Sequence, residues 1–310
     1  MNTFDLGAAW LFNDGLAAVN VKNRWGYIDK SGNVVIKPIY KDACGFSEGL
    51  AAVIVDNKYG FIDRNGNMVI APQFGFVVAF SEGLASVVND NSFSIIDKKG
   101  NTIATLGDEI SDLQQFSNGL AAVEVKRETD DDAVFKYGFV DRSGRMAIKP
   151  QFDYVGAFSD GLALATLTPD GKSGYIDTTG RFVIEPQYDE AEDFSEGLAP
   201  VKKDGKWRFI DSAGAEVAML GDKYESVFPL NDGRAIVKNG GKYGAIDRVG
   251  NLLIDIRFDM LHSFSEGLAF ARVGNMQGFI NTSGAFCIQK PIPKPSLMDI
   301  LSGRKSHLRW

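Results

Sequence analysis

Acidic side chains recur along the chain at Glu48, Glu82, Asp160, Glu196, Asp232 and Glu266. Carboxylates of this kind could do general acid and base work, but only where two of them flank one reacting bond. Each sits alone inside the same local phrase, so neighbours need not converge, and capping of a turn accounts for them. A second series, Asp29, Asp63, Asp97, Asp141, Asp177, Asp211 and Asp247, lies three residues before a glycine and has the same explanation. Asp130, Asp131 and Asp132 lack the alternating ligand spacing of a calcium loop. His262 has no ligand cluster near it and is expected to be a hydrogen-bonded structural residue. Cys44 and Cys287, flanked by apolar or small residues, are expected to be packed thiols, and two cysteines cannot make a four-ligand zinc site. Trp10, Trp25 and Trp207 fall at positions where core residues are expected. No phosphate-binding loop, dinucleotide fingerprint, zinc motif or nucleophile elbow occurs. Neither catalysis nor a cofactor or metal is expected.

The elements that carry these residues are set by repetition. The phrase Phe46-Ser47-Glu48-Gly49-Leu50-Ala51 returns at Phe80, Phe194 and Phe264, with looser copies starting at Phe12, Phe116, Phe158 and Leu230. Its glycines are Gly15, Gly49, Gly83, Gly119, Gly161, Gly197, Gly233 and Gly267, mostly 34 or 36 residues apart, which counts eight repeats. A second anchor is an aromatic followed by glycine, as in Trp25-Gly26 and Tyr59-Gly60. Repeat five keeps only the glycine (Ser173-Gly174) and repeat eight likewise (Gln277-Gly278). Repeats three and six keep only the aromatic (Phe93-Ser94, Trp207-Arg208). The turn glycine follows the second anchor by six residues in every repeat, as a hairpin of fixed turn geometry requires.

One repeat reads as a three-stranded antiparallel meander: a strand from Gly49 to Val55, a second from Tyr59 to Asp63, and a third from Met68 to Ile70 that closes on Pro72. Asp63 to Gly66 suits a type I turn, and Pro72 should end its strand or lie at an edge. Apolar residues run consecutively through the first strands, the pattern of a strand buried on both faces. The array is therefore all-β, each unit stacking on its neighbours. An open, curved solenoid is expected, because the last repeat carries its own third strand (Phe286-Cys287-Ile288). A closed eight-bladed, propeller-like ring is the alternative.

The phrases Gly-Leu-Ala, Trp25-Gly26-Tyr27-Ile28-Asp29, Ser31 to Pro38 and Phe-Ser-Glu-Gly together resemble the bacterial WG-repeat family, over roughly residues 4 to 291. That resemblance implies a bacterial β-repeat protein with no general set of catalytic residues and a role in binding or scaffolding.

The chain has 310 residues, 34 of them glycine, and a net charge of −7. Such acidity argues against a nucleic-acid surface. The N-terminus lacks the basic and apolar regions of a signal peptide, and no stretch reaches membrane-spanning length, so a cytoplasmic location is expected. Residues 1–290 are read as the array and 291–310 as a proline-rich spacer followed by a short amphipathic, basic helix.

In a repeat protein, function is best sought where repeats depart from one another. Repeat four carries an acidic extension between Lys126 and Ala133, which places Glu128, Asp130, Asp131 and Asp132 as candidate contacts for a basic partner. The tail offers Leu297, Ile300 and Leu301 on one face, with Arg304 and Lys305 beyond them. It is read either as a cap on the last repeat or as a partner-binding peptide. Repeats three and six lack the Pro-x-aromatic close together, as an older three-repeat duplication would produce. The expected function is a non-catalytic protein-binding scaffold, in its sharper form an immunity-type protein that occludes a partner. The alternative is a carbohydrate or envelope-ligand binder using exposed aromatics. On the first view the repeat tyrosines Tyr59 and Tyr243 should be buried.

Overall fold

The computed structural model describes residues 9–291 except 90, 129–132 and 170. Every sheet is antiparallel and is assembled from consecutive strands. Blade three is representative: Phe76–Val77, Leu84–Asn89, Ser92–Asp97 and Thr102–Thr105 pair in chain order. The expected three strands are thus preceded by a fourth, built from the residues that join one repeat to the next; it is two residues long here but lengthens to Ile110–Ser117 in blade four and Ser226–Asn231 in blade seven. In blades one and two this innermost strand shrinks to a single bridge, Ala9 with Val19 and Ala43 with Val53. No helix occurs among the described residues, and the expected C-terminal helix lies outside them.

The central strands are buried on both faces, as the consecutive apolar residues require. Leu50, Ala51, Ala52 and Val53 are all buried, whereas the last strand, Met68–Phe74, alternates between buried and exposed. Last strands therefore form the rim. Pro72 lies within one, where a missing amide breaks no ladder.

The expected open solenoid is not what forms: the eight blades close into a ring, a β-propeller. Hydrophobic clusters join each blade to the next, and a further one joins blade eight to blade one. There Phe12, Ala17, Val19 and Ile28 pack with Leu268, Phe270 and Phe279. An open array would leave those faces in water. The inference from the last repeat's third strand failed because closure here exchanges no strand. Blade eight keeps Phe286–Pro291 and blade one keeps its own strands, so the seam is sealed by stacked faces and side-chain hydrogen bonds, with no shared strand.

The acidic column serves this ring. Glu48 and Gly49 occupy the two central positions of a hairpin turn with φ of 53° and 84°, the type I′ geometry that matches strand twist. The carboxylate does not cap its own turn. It accepts a hydrogen bond from the amide of Gly83, the equivalent glycine of the next blade, at 3.0 Å. The same bond runs from Gly49 to Asp14, Gly119 to Glu82, Gly161 to Asn118, Gly197 to Asp160, Gly233 to Glu196 and Gly267 to Asp232. It closes from Gly15 to Glu266 at 3.1 Å. The serine beside it adds a parallel bond in several blades, Ser47 Oγ donating to the Phe80 carbonyl and Ser265 Oγ to that of Phe12. Local capping is thereby replaced by an eight-membered circle of contacts between blades.

The second-anchor glycine answers to a different constraint. Tyr59 pairs with Phe74 but Phe61 pairs with Ile70, so the rim strand bulges opposite Gly60. A Cβ on Gly60 would lie 2.6 Å from the Ile70 carbonyl oxygen and 2.8 Å from the Pro72 nitrogen. In blade three, Ser94 and Ile95 pair one to one with Thr105 and Ala104, and no such bulge faces them. Arg208 and Phe209 of blade six pair with Met219 and Ala218 in the same way. Blade six keeps only a one-residue step, between Trp207 and Arg208, so the full bulge and the glycine are absent together in repeats three and six.

Candidate functional site

Each innermost strand turns alternate side chains toward the following blade, where they meet the second-anchor aromatic. In blade two, Cys44 and Tyr59 pack on the seam with blade three, and the Tyr59 hydroxyl donates to Asp42 at 3.2 Å. Blade seven uses Phe228 and Tyr243 for the same purpose. Blade five departs at both positions at once. Gly156 stands where Cys44 and Phe228 stand in their repeats, and Ser173 replaces the aromatic.

A pocket of about 330 Å³ results between blades five and six. Tyr154, Leu164 and Ser173 line it from blade five, and Glu190, Ala191, Glu192 and Asp193 from blade six. Asp193 leans into the space the missing side chain leaves, since a Cβ on Gly156 would overlap its Oδ1. Its carboxyl accepts from the Ala157 amide, yet Oδ1 is sealed from solvent without a hydrogen-bond partner. Burial pushes the Asp193 carboxyl up to about 6, the Ala157 amide only partly opposing it. Burial, then Asp193 and Glu190, also raise Glu192. Glu190 alone has a cation, Lys202 at 2.8 Å. The arrangement is a half-enclosed, acid-rich cleft beside an exposed tyrosine ring, suited to holding a cation.

Models of the WG containing repeat match residues 25–59, 59–92, 137–167, 174–207, 222–243 and 243–276, more than half of the sequence. The chain belongs to the WG-containing repeat family. No curated protein sequence matches this WG-repeat chain. Among solved structures, one titled as the eukaryotic initiation factor superimposes with a TM-score of 0.64 at 15% identity, covering 94% of this chain and 89% of that one. That likeness speaks for the fold alone. Hsv2 of Kluyveromyces lactis gives a TM-score of 0.42 at 9% identity over 94% and 100% of the two chains, too distant to bear on function.

Against the WG-repeat framework the predicted residues separate clearly. Glu128 ends a first strand lengthened to Leu120–Glu128, pairing with Ala133 at the tip of the extended hairpin. Asp130, Asp131 and Asp132, and Leu297, Ile300, Leu301, Arg304 and Lys305, lie outside the described residues. Trp207 is buried as expected, but Trp10 is 52% exposed and stacks on Trp25 with ring centroids 6.4 Å apart. Tyr59 and Tyr243 are half-buried rather than buried, since each seals the outer part of a seam. Cys44 is packed, whereas Cys287 sits exposed on a rim strand. His262 packs against Phe270, and desolvation lowers its pKa. Among the described residues no group of three or more His, Cys, Asp or Glu is placed to hold a metal ion. No helix among them is long and apolar enough to cross a membrane. The sequence reading singled out Ser173 only as a weakened repeat and missed Gly156 and Asp193.

Proposed function

We propose that this propeller is a non-catalytic scaffold that holds another protein, and that the cleft between blades five and six receives a basic side chain of that partner. The observation that carries the reading is the joint loss of bulk at Gly156 and Ser173 opposite two carboxylates without a cation, Glu192 and Asp193. The volume suits a lysine or arginine head, and the Tyr154 ring offers a cation–π wall. A net charge of −7 steers basic partners toward the surface. An immunity-type role, occluding a basic domain, is the sharper form of the same reading. The acidic hairpin tip at Glu128 to Asp132 would then be a second contact, and the tail residues Leu297 to Lys305 a third. Ser173→Tyr tests the reading, because it restores the repeat's own aromatic and fills the cleft. Proteins captured by the wild type should be lost by this variant, and an unchanged capture profile would sink the cleft as the site.

The exposed Trp10 on Trp25 favours a second reading, a carbohydrate ligand stacked on indole. Quenching of tryptophan fluorescence by oligosaccharides, absent in Trp10→Ala, would support it over the first.

A further inference from the structure

We propose that Asp193 holds a proton across the seam between blades five and six in the free protein, and that a cation entering the cleft displaces it. The second half rests on the cleft being a cation site, as argued above; the first half does not.

The argument begins with what surrounds the carboxyl. On the blade-five side are the Tyr154 ring and the Ala157 amide, together with Tyr175 and, behind it, Tyr188. The Tyr175 hydroxyl is committed to the Glu192 carbonyl at 2.6 Å and cannot serve Asp193. On the blade-six side stand Glu190 and Glu192, both acceptors when ionised. Of the nearby cations, Lys202 pairs with Glu190. Arg208, close to Tyr188, is engaged by Glu216 at 3.2 Å and by the Lys203 carbonyl at 3.1 Å. Ionised Asp193 would therefore face one amide donor, a sealed Oδ1 and a second unpaired carboxylate. Desolvation favours the neutral acid at Asp193, and the Asp193 charge in turn helps to raise Glu192. A cation placed between Asp193 and Glu192 reverses both effects, and the proton then leaves to solvent.

Linkage makes the coupling reciprocal: if the cation expels the proton, lowering the pH must expel the cation. Affinity should fall about tenfold per pH unit well below the midpoint of Asp193 and level off above it.

The experiment is a carboxyl ¹³C NMR titration of aspartate-labelled protein from pH 4 to 8, with and without methylguanidinium chloride. Asp193→Asn assigns the resonance. One aspartate should titrate far above the others, vanish in the variant, and move to lower pH when methylguanidinium is added. If every aspartate titrates in the ordinary range, the held proton is overturned, whatever binds. A high midpoint that methylguanidinium leaves in place, with no shifts at cleft residues, overturns the cation site and the exchange while leaving the held proton standing. Because the wild type itself reports the midpoint, the result stands even if the variant folds poorly, and Glu192→Gln then serves as the second perturbation.

Discussion

Phe12 and Phe279 meet edge to face with ring centroids 4.7 Å apart and planes inclined at 60°. Tyr27 and Phe46, in neighbouring blades one and two, meet at 4.7 Å and 61°. The contact that closes the ring across the two ends of the array thus repeats the contact that joins consecutive blades. Closure needs no special device, only one more use of the same interface.

Phe12→Ala and Phe46→Ala should therefore cost alike, about 3–5 kcal/mol each, because both empty a buried aromatic site. Urea midpoints of the two variants make the comparison. A Phe12 variant as stable as wild type would mean that the seam between blades eight and one stands open in solution.

Gly60→Ala should destabilise by about 1–3 kcal/mol, since the new methyl meets the backbone of the bulge and not a movable side chain. Ser94→Gly, at the equivalent place opposite an unbulged strand, should be milder. Equal losses would separate the glycine from the bulge.

Stability should peak on the acid side of neutrality. Asp193 has a folded pKa of about 6, above its unfolded value of ~3.9. Its contribution is complete below the unfolded value and is lost as pH rises through 6. Glu48 and Glu266 behave oppositely. Burial works against their ionisation, but Lys98 with the Gly83 amide, and Lys30 with the Gly15 amide, outweigh it and lower both pKa values. Their contribution is present above the ordinary glutamate range and disappears as pH falls through the lowered values. Melting temperatures from pH 3 to 8 should rise and then decline, and Asp193→Asn should flatten the decline alone.

Deleting Glu128 to Asp132 should leave the melting temperature unchanged, because other blades close the same hairpin with two residues, as at Asp56 and Asn57. Truncation after Pro291 should also be silent in melting, since blade one already covers the face that a cap would have served. A lower melting temperature in the truncated protein would restore a structural role to the tail.

Eight units, their hairpins and their turns were legible in the sequence because turn geometry fixes spacing, and spacing survives divergence. The Asp63 turn formed as read, with Gly66 at φ 85°. Closure was not legible: Phe12 and Glu266 look like their counterparts in most repeats, and the curvature per blade resides in no single residue type. Four of the innermost strands escaped notice because two residues, such as Tyr154 and Val155, carry no period to detect. Without those strands Gly156 had no role and Asp193 no neighbour, so the cleft was invisible although Ser173 was in plain view.

Because every blade is completed by its own consecutive strands, one period of the sequence supplies the strands of one whole blade, whatever its phase. Whole blades can then be gained or lost by unequal recombination without leaving a sheet short of a strand. The same correspondence makes the ring indifferent to where synthesis begins. A rearranged chain that starts at Gly75, with residues 291 and 9 joined by a linker, retains every seam described above.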